Sequence, residues 1–238
     1  MLKKLLVIGS LITTLVVNAL ANILPFNGIT TAEVSDSIST YFVPAGYVFT
    51  IWSVIYLGLI VYVIYSLVRR ERIDDKIAIW FTVANIANAI WMFTWHYQIM
   101  WLSIILMLVI LVSLLIVYKT LSKGKTDVIR TAPFSIYLGW ISVATIANVS
   151  SVLVFYNWNA LQISGEMWAT IMIAIATVLT ILMLRFKRDI LYSLVIVWAL
   201  IGIMYKFLTI SDLMVGAIIV SLVVIFAQIG LTRIWAKD

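Results

Sequence analysis

Cysteine is absent from the chain, so it can form no disulfide, offer no thiolate nucleophile and build no Cys-based metal site. Charge is scarce as well: Asp, Glu, Lys and Arg make up 11% of residues, against roughly a quarter in an ordinary soluble domain. Every one of these charges lies in a connection between apolar runs or at the end of a run. Ionisable residues inside a membrane are the usual markers of proton and ion pathways, so their lack argues against an ion-coupled transporter. It also removes the paired carboxylates, metal clusters and nucleophile–base pairs that hydrolytic membrane enzymes use. Catalysis is therefore not the expected role. The net charge of +6 is spread over short clusters rather than a basic domain, and no nucleic-acid partner is expected.

What the chain does have is apolar surface. Hydrophobic residues make up 64% of its 238 positions, more than a soluble fold of this size could hide. Lipid must cover the rest. A bilayer-crossing helix needs ~20 mainly apolar residues, because each adds ~1.5 Å and every backbone polar group must bond internally. Eight runs meet this requirement: 5–24, 44–68, 77–96, 99–118, 133–156, 167–184, 189–207 and 212–232. The expected fold is all-α and polytopic, with the lipid bilayer as an obligatory partner. Only 25–43 and 157–166 leave room for structure outside the membrane, and no soluble domain is expected at either end.

Lys and Arg are retained on the cytoplasmic side during insertion. With the N-terminus inside, eight spans place fifteen of the sixteen on that side, Arg70, Arg72, Lys125 and Lys237 among them. Only Lys206 falls outside, whereas Glu33, Asp36, Glu166 and Asp212 all do. An odd number of spans would scramble the alternation. A multi-pass protein of the cell membrane with both termini cytoplasmic follows. The stretch from Lys3-Lys4 to Ala19-Leu20-Ala21 also has the form of a cleaved leader. Its spanning length, and the amides Asn18 and Asn22, favour a retained first helix.

Residues 80–88 (Trp-Phe-Thr-Val-Ala-Asn-Ile-Ala-Asn) and 140–148 (Trp-Ile-Ser-Val-Ala-Thr-Ile-Ala-Asn) agree at six of nine positions. They occupy the third and fifth spans, which run in the same direction. Small residues at such positions permit close helix packing, and the shared Trp and Asn suggest equivalent faces.

Aromatic and amide groups fill the place of charge. Of ten tryptophans, Trp80, Trp95, Trp101, Trp158, Trp168 and Trp235 suit interfacial belts. Trp52, Trp91, Trp140 and Trp198 fall several residues inside a span. At ~1.5 Å per residue, Trp52, Asn88 and Asn148 share a level roughly 12–14 Å below the outer ends of their helices. Helical spacing aligns Phe49, Trp52, Ser53 and Tyr56 on one face. It likewise aligns Asn88, Trp91 and Trp95, and then Tyr137, Trp140, Ala144, Asn148 and Ser151. An amide facing hydrocarbon costs several kcal/mol unpaired, so Asn88 and Asn148 should face other helices or a ligand. Interhelical bonding and a ligand pocket explain them equally well. The lone His96 reads as an interfacial histidine at the outer end of the third span.

The stretch Phe42-Val43-Pro44-Ala45-Gly46-Tyr47-Val48-Phe49-Thr50-Ile51-Trp52-Ser53-Val54-Ile55-Tyr56 resembles the TspO/MBR family of tryptophan-rich sensory and translocator proteins. Asn88-Ala89-Ile90-Trp91, then Tyr137-Leu138-Gly139-Trp140 with Ala144 and Asn148, match two further motifs in order. The resemblance covers residues 1–158 and implies a five-helix domain there, followed by three additional helices in 159–238. It implies a pocket open to the outer side that takes porphyrins of the protoporphyrin or haem type, sterols or aromatic drugs as ligands rather than as an obligatory cofactor. Trp52 and Trp140 match tryptophans of that pocket, and Asn88 and Ala144 further lining positions. Ala45 replaces the second proline of the family's usual pair, and the first loop is longer. The function expected is a sensor or regulator (a receptor) for a flat hydrophobic small molecule, with a small-molecule transporter and a porphyrin-degrading enzyme as alternatives. The last three helices are expected to flank the bundle or to mediate assembly, a homodimer being the simplest form.

Overall fold

The computed structural model describes residues 2–24, 26–69, 73–123, 127–158 and 162–234, and all regular structure among them is helical. Arg70, Arg72, Lys125, Trp235 and Lys237 lie outside the described residues. The helices are α1 (Leu2–Ile23), α2 (Thr31–Ser37), α3 (Ile51–Val68), α4 (Asp75–His96), α5 (Met100–Leu121), α6 (Val128–Phe155), α7 (Gly165–Lys187), α8 (Ile190–Phe207) and α9 (Asp212–Ile234). All but α2 are long and apolar enough to cross a membrane, α3 together with the 3-10 turn Gly46–Thr50 that leads into it. The protein is thus a multi-pass membrane protein, with eight spans among the described residues. Its longest helix, α6, starts five residues before the expected position at Pro133. Asp127 is the reason: its carboxylate accepts from the Ile129 N–H at 2.9 Å and caps the first turn.

Five spans close a ring. α1 touches α4, α4 touches α5, α5 touches α6, α6 touches α3, and α3 returns to α1 in the thinnest of these contacts. Polar pairs fix the register. The Thr14 hydroxyl donates to the Asn85 carbonyl (2.8 Å), and the Asn18 amide donates to Asn88 Oδ1 (2.9 Å), both between α1 and α4. Ser103 donates to Asn148 Oδ1 (3.2 Å) between α5 and α6. The Tyr65 hydroxyl donates to Asp127 at 2.8 Å, tying α3 to the start of α6 and holding that carboxyl below the usual carboxylate range. Its contribution to stability is present at neutral pH and is lost as pH falls through that lowered value.

The remaining spans form a second group in which α7, α8 and α9 touch one another, docked on the outside of α6 through α8 and α7. Close approach is possible because Gly139 presents no side chain. A Cβ there would lie 3.0 Å from the Tyr192 carbonyl and 3.1 Å from Val195 Cβ. Asp189, in the turn between α7 and α8, adds a polar clasp by accepting from Tyr118 (2.7 Å) and from Ser135. Gly139→Ala should therefore overpack this seam, destabilising the protein by about 1–3 kcal/mol and lowering its Tm in detergent.

The long first loop is a lid rather than a loose connection. Thr30 and Glu33 form a reciprocal capping box at the start of α2, the threonine hydroxyl accepting from the Glu33 N–H and the carboxylate from the Thr30 N–H. These hydrogen bonds to Thr30, backbone first, hold the Glu33 carboxyl below its ordinary value. A lowered value means the cap stabilises α2 above the ordinary glutamate range and fails as pH falls through the lowered one. The amide protection factors of residues 31–37, taken relative to the intrinsic exchange rate at each pH, should fall on acidification, and Glu33→Gln should blunt that response.

Candidate ligand-binding site

At the α2 end of the ring, side chains from α3, α4 and α6 converge on an apolar cavity of about 40 Å³. The turn before α3 supplies Phe49; α3 supplies Trp52; α4 supplies Trp91 and Trp95; α6 supplies Trp140, Ala144 and Asn148; the lid adds Ser35 and Pro44. Each helix contributes from one face, as positions three or four apart must. The rings interlock edge to face: Phe49 meets Trp140 at 5.8 Å and Trp52 meets Trp140 at 6.1 Å between centroids. Trp91 and Trp95 stack at 5.6 Å.

Beneath this cage, Trp52 stacks on Tyr56 (5.4 Å) and meets the edge of Tyr137 (5.8 Å), so both tyrosines support the tryptophan from below. Asn88 stands apart from the cavity. It is fully buried against α1 through its bond from Asn18, and faces Tyr137 without reaching hydrogen-bond geometry. For Asn88 the interhelical reading applies. Asn148 combines both readings, since its oxygen is taken by Ser103 while its Nδ2 has no partner beside the cavity.

Of the expected set, Phe49, Trp52, Trp91, Trp140, Ala144 and Asn148 line the cavity. Two residues assigned to the membrane interface do not belong there. Trp95 is buried, lines the cavity and donates its indole N–H to the Thr31 carbonyl at 3.3 Å. His96 is fully buried, with Nδ1 2.7 Å from the Met92 carbonyl and Phe26 edge-on at 5.7 Å. The reason in both cases is the lid, which covers the end of α4. Thr30-x-x-Glu33 is the sequence signal that would have revealed it. Trp101 and Trp158, by contrast, are exposed as belt residues should be.

The cage is rich in unsatisfied donors. Trp91 Nε1, Trp140 Nε1 and Asn148 Nδ2 are buried without an acceptor. Leaving a buried donor unpaired costs about 1–3 kcal/mol, so these three N–H groups favour a guest that brings acceptors to the cavity. A group bearing acceptor oxygens and a flat conjugated face would complete it, stacking on indoles and taking their N–H bonds.

Size sets a condition on such a guest. The cavity holds a water or two, whereas pockets for drug-sized molecules run to about 300–1,000 Å³. A second, larger space of about 630 Å³ lies under the lid between α1 and α3, lined by Asn18, Ala19, Thr31, Ser53 and Tyr56. Phe49 and Trp52 border both spaces and form the wall between them.

A family model described as TSPO-like protein matches residues 4–231, and so takes in the last three helices along with the ring. No curated protein and no solved structure matches the chain.

Proposed function

This chain belongs to the TSPO-like protein family, and from that premise we propose that it is a membrane sensor or regulator that binds porphyrins or similar flat, acceptor-bearing hydrophobic molecules. The observation that carries this reading is the aromatic cage of Phe49, Trp52, Trp91, Trp95 and Trp140 with its unpaired indole and amide donors. Porphyrin carboxylates and carbonyls supply the missing acceptors, and the macrocycle supplies the face on which indoles stack. The ligand enters the groove between α1 and α3, displaces Phe49 and Trp52 from their resting contacts, and occupies the joined space. With both termini cytoplasmic, the orientation that the distribution of Lys and Arg supports, the lid and the pocket face the outside.

Titration of the detergent-solubilised protein with protoporphyrin tests the reading. Saturable one-site quenching of tryptophan fluorescence is expected, together with a shift of the porphyrin absorption band. Linear, unsaturable quenching would reject it. Ligand-dependent flux in proteoliposomes, absent from empty vesicles, would reassign the protein as a transporter.

A further inference from the structure

Among the described residues, the three C-terminal helices contribute none to the cavity wall, yet the α2 end of α8 grips the lid along its length. Lys206 forms an ion pair with Asp36 of α2, which accounts for the single cation on the outer side of the charge pattern. Tyr41 stacks on Phe207 at 5.5 Å. The Ala45 N–H donates to the Gly202 carbonyl at 3.2 Å, and the Trp198 indole donates to the Val48 carbonyl at 3.2 Å. Val48 is wholly buried, with its Cγ2 only 2.1 Å from where a Cβ on Gly202 would stand. A methyl therefore occupies the notch that this glycine leaves open.

The consequence for the cavity follows from the 3-10 turn Gly46–Thr50. At about three residues per turn, adjacent side chains diverge by roughly 120°. With Val48 seated on α8, Phe49 is turned inward onto Trp140, where it closes the wall between groove and cavity. We propose that α8 is a positioning element for the site: by holding Val48 and the lid, it fixes Phe49 and sets how readily the cavity opens. This rests on the reading that the cavity is the ligand site, but its geometric part can be tested without ligand.

The absence of native cysteine makes the test clean. In full-length protein, Ala144→Cys places a single thiol on the cavity wall, and Ser113→Cys places one in the buried middle of α5 as a control. Gly202→Ala is expected to raise the rate of maleimide labelling at A144C by about tenfold, because overpacking at the notch must expel Val48. Adding Val48→Ala, which empties the notch, should return the rate toward that of A144C alone. Trp198→Phe, which keeps the ring but loses the N–H, should give a smaller rise. Protoporphyrin association should quicken in parallel with labelling. An unchanged rate in Gly202→Ala, or an equal rise at S113C, would overturn the proposal. Labelling that responds as expected in a protein to which protoporphyrin does not bind would sink the ligand reading and leave control of the lid by α8 standing.

Discussion

Trp140→Ala is expected to weaken protoporphyrin binding by about a hundredfold, followed through the porphyrin absorption band so that the lost fluorophore does not confound the reading. Trp140 is buried at the centre of the cage, edge-on to both Phe49 and Trp52, and carries one of the unpaired N–H groups. Its removal takes away a stacking surface and a donor together. Aromatic contacts contribute about 0.5–1.5 kcal/mol and a buried hydrogen bond about 0.5–1.5 kcal/mol, and loss of the indole also lets the neighbouring rings collapse. Trp140→Phe separates these effects, since it keeps a ring and loses only the donor; a loss of about tenfold is expected. Equal affinity in wild type and Trp140→Ala would place the porphyrin elsewhere.

The second large effect is on stability. Asn18→Leu should destabilise the ring by about 1–3 kcal/mol, because it strips Asn88 Oδ1 of its donor at a site with no exposure to solvent. The double variant Asn18→Leu/Asn88→Leu should recover much of that loss, as two apolar side chains of similar size leave neither amide of the pair stranded. Thermal unfolding in detergent reads both. A double variant no better than the single would show that α1 and α4 depend on these amides for something other than mutual bonding.

The eight spans were legible in the sequence because bilayer physics leaves few alternatives: a spanning segment must satisfy its own backbone, and that demands length and apolarity. The core of the site was legible for a similar reason. Trp52, Trp91 and Trp140 stand too deep in their helices for an interfacial belt, and Ala144 and Asn148 follow Trp140 at helical spacing. Proximity across the chain was not legible. Trp95 and His96 look interfacial by depth, yet the first loop covers both, Trp95 through Thr31 of the capped helix and His96 through Phe26 and Asn27 of the turn before it. Asn88 and Asn148 carry the same residue type on matching helices, and each accepts one interhelical bond and keeps an unpaired Nδ2, yet only Asn148 stands at the cavity. Nothing in Trp198 or Gly202 announces a partner 150 positions away. Such pairings depend on which helices become neighbours, and periodicity within one helix is silent about that.

The thin seam where α1 meets α3 has a practical corollary for measuring affinity. If the proposed guest enters the groove between these two spanning helices from among the acyl chains, it samples the lipid rather than the aqueous concentration. For a guest that partitions strongly into hydrocarbon, occupancy then tracks moles of compound per mole of lipid. Titrations at different detergent or lipid loads should yield discordant dissociation constants when plotted against total concentration, and should superimpose when plotted as mole fraction in the amphiphile phase.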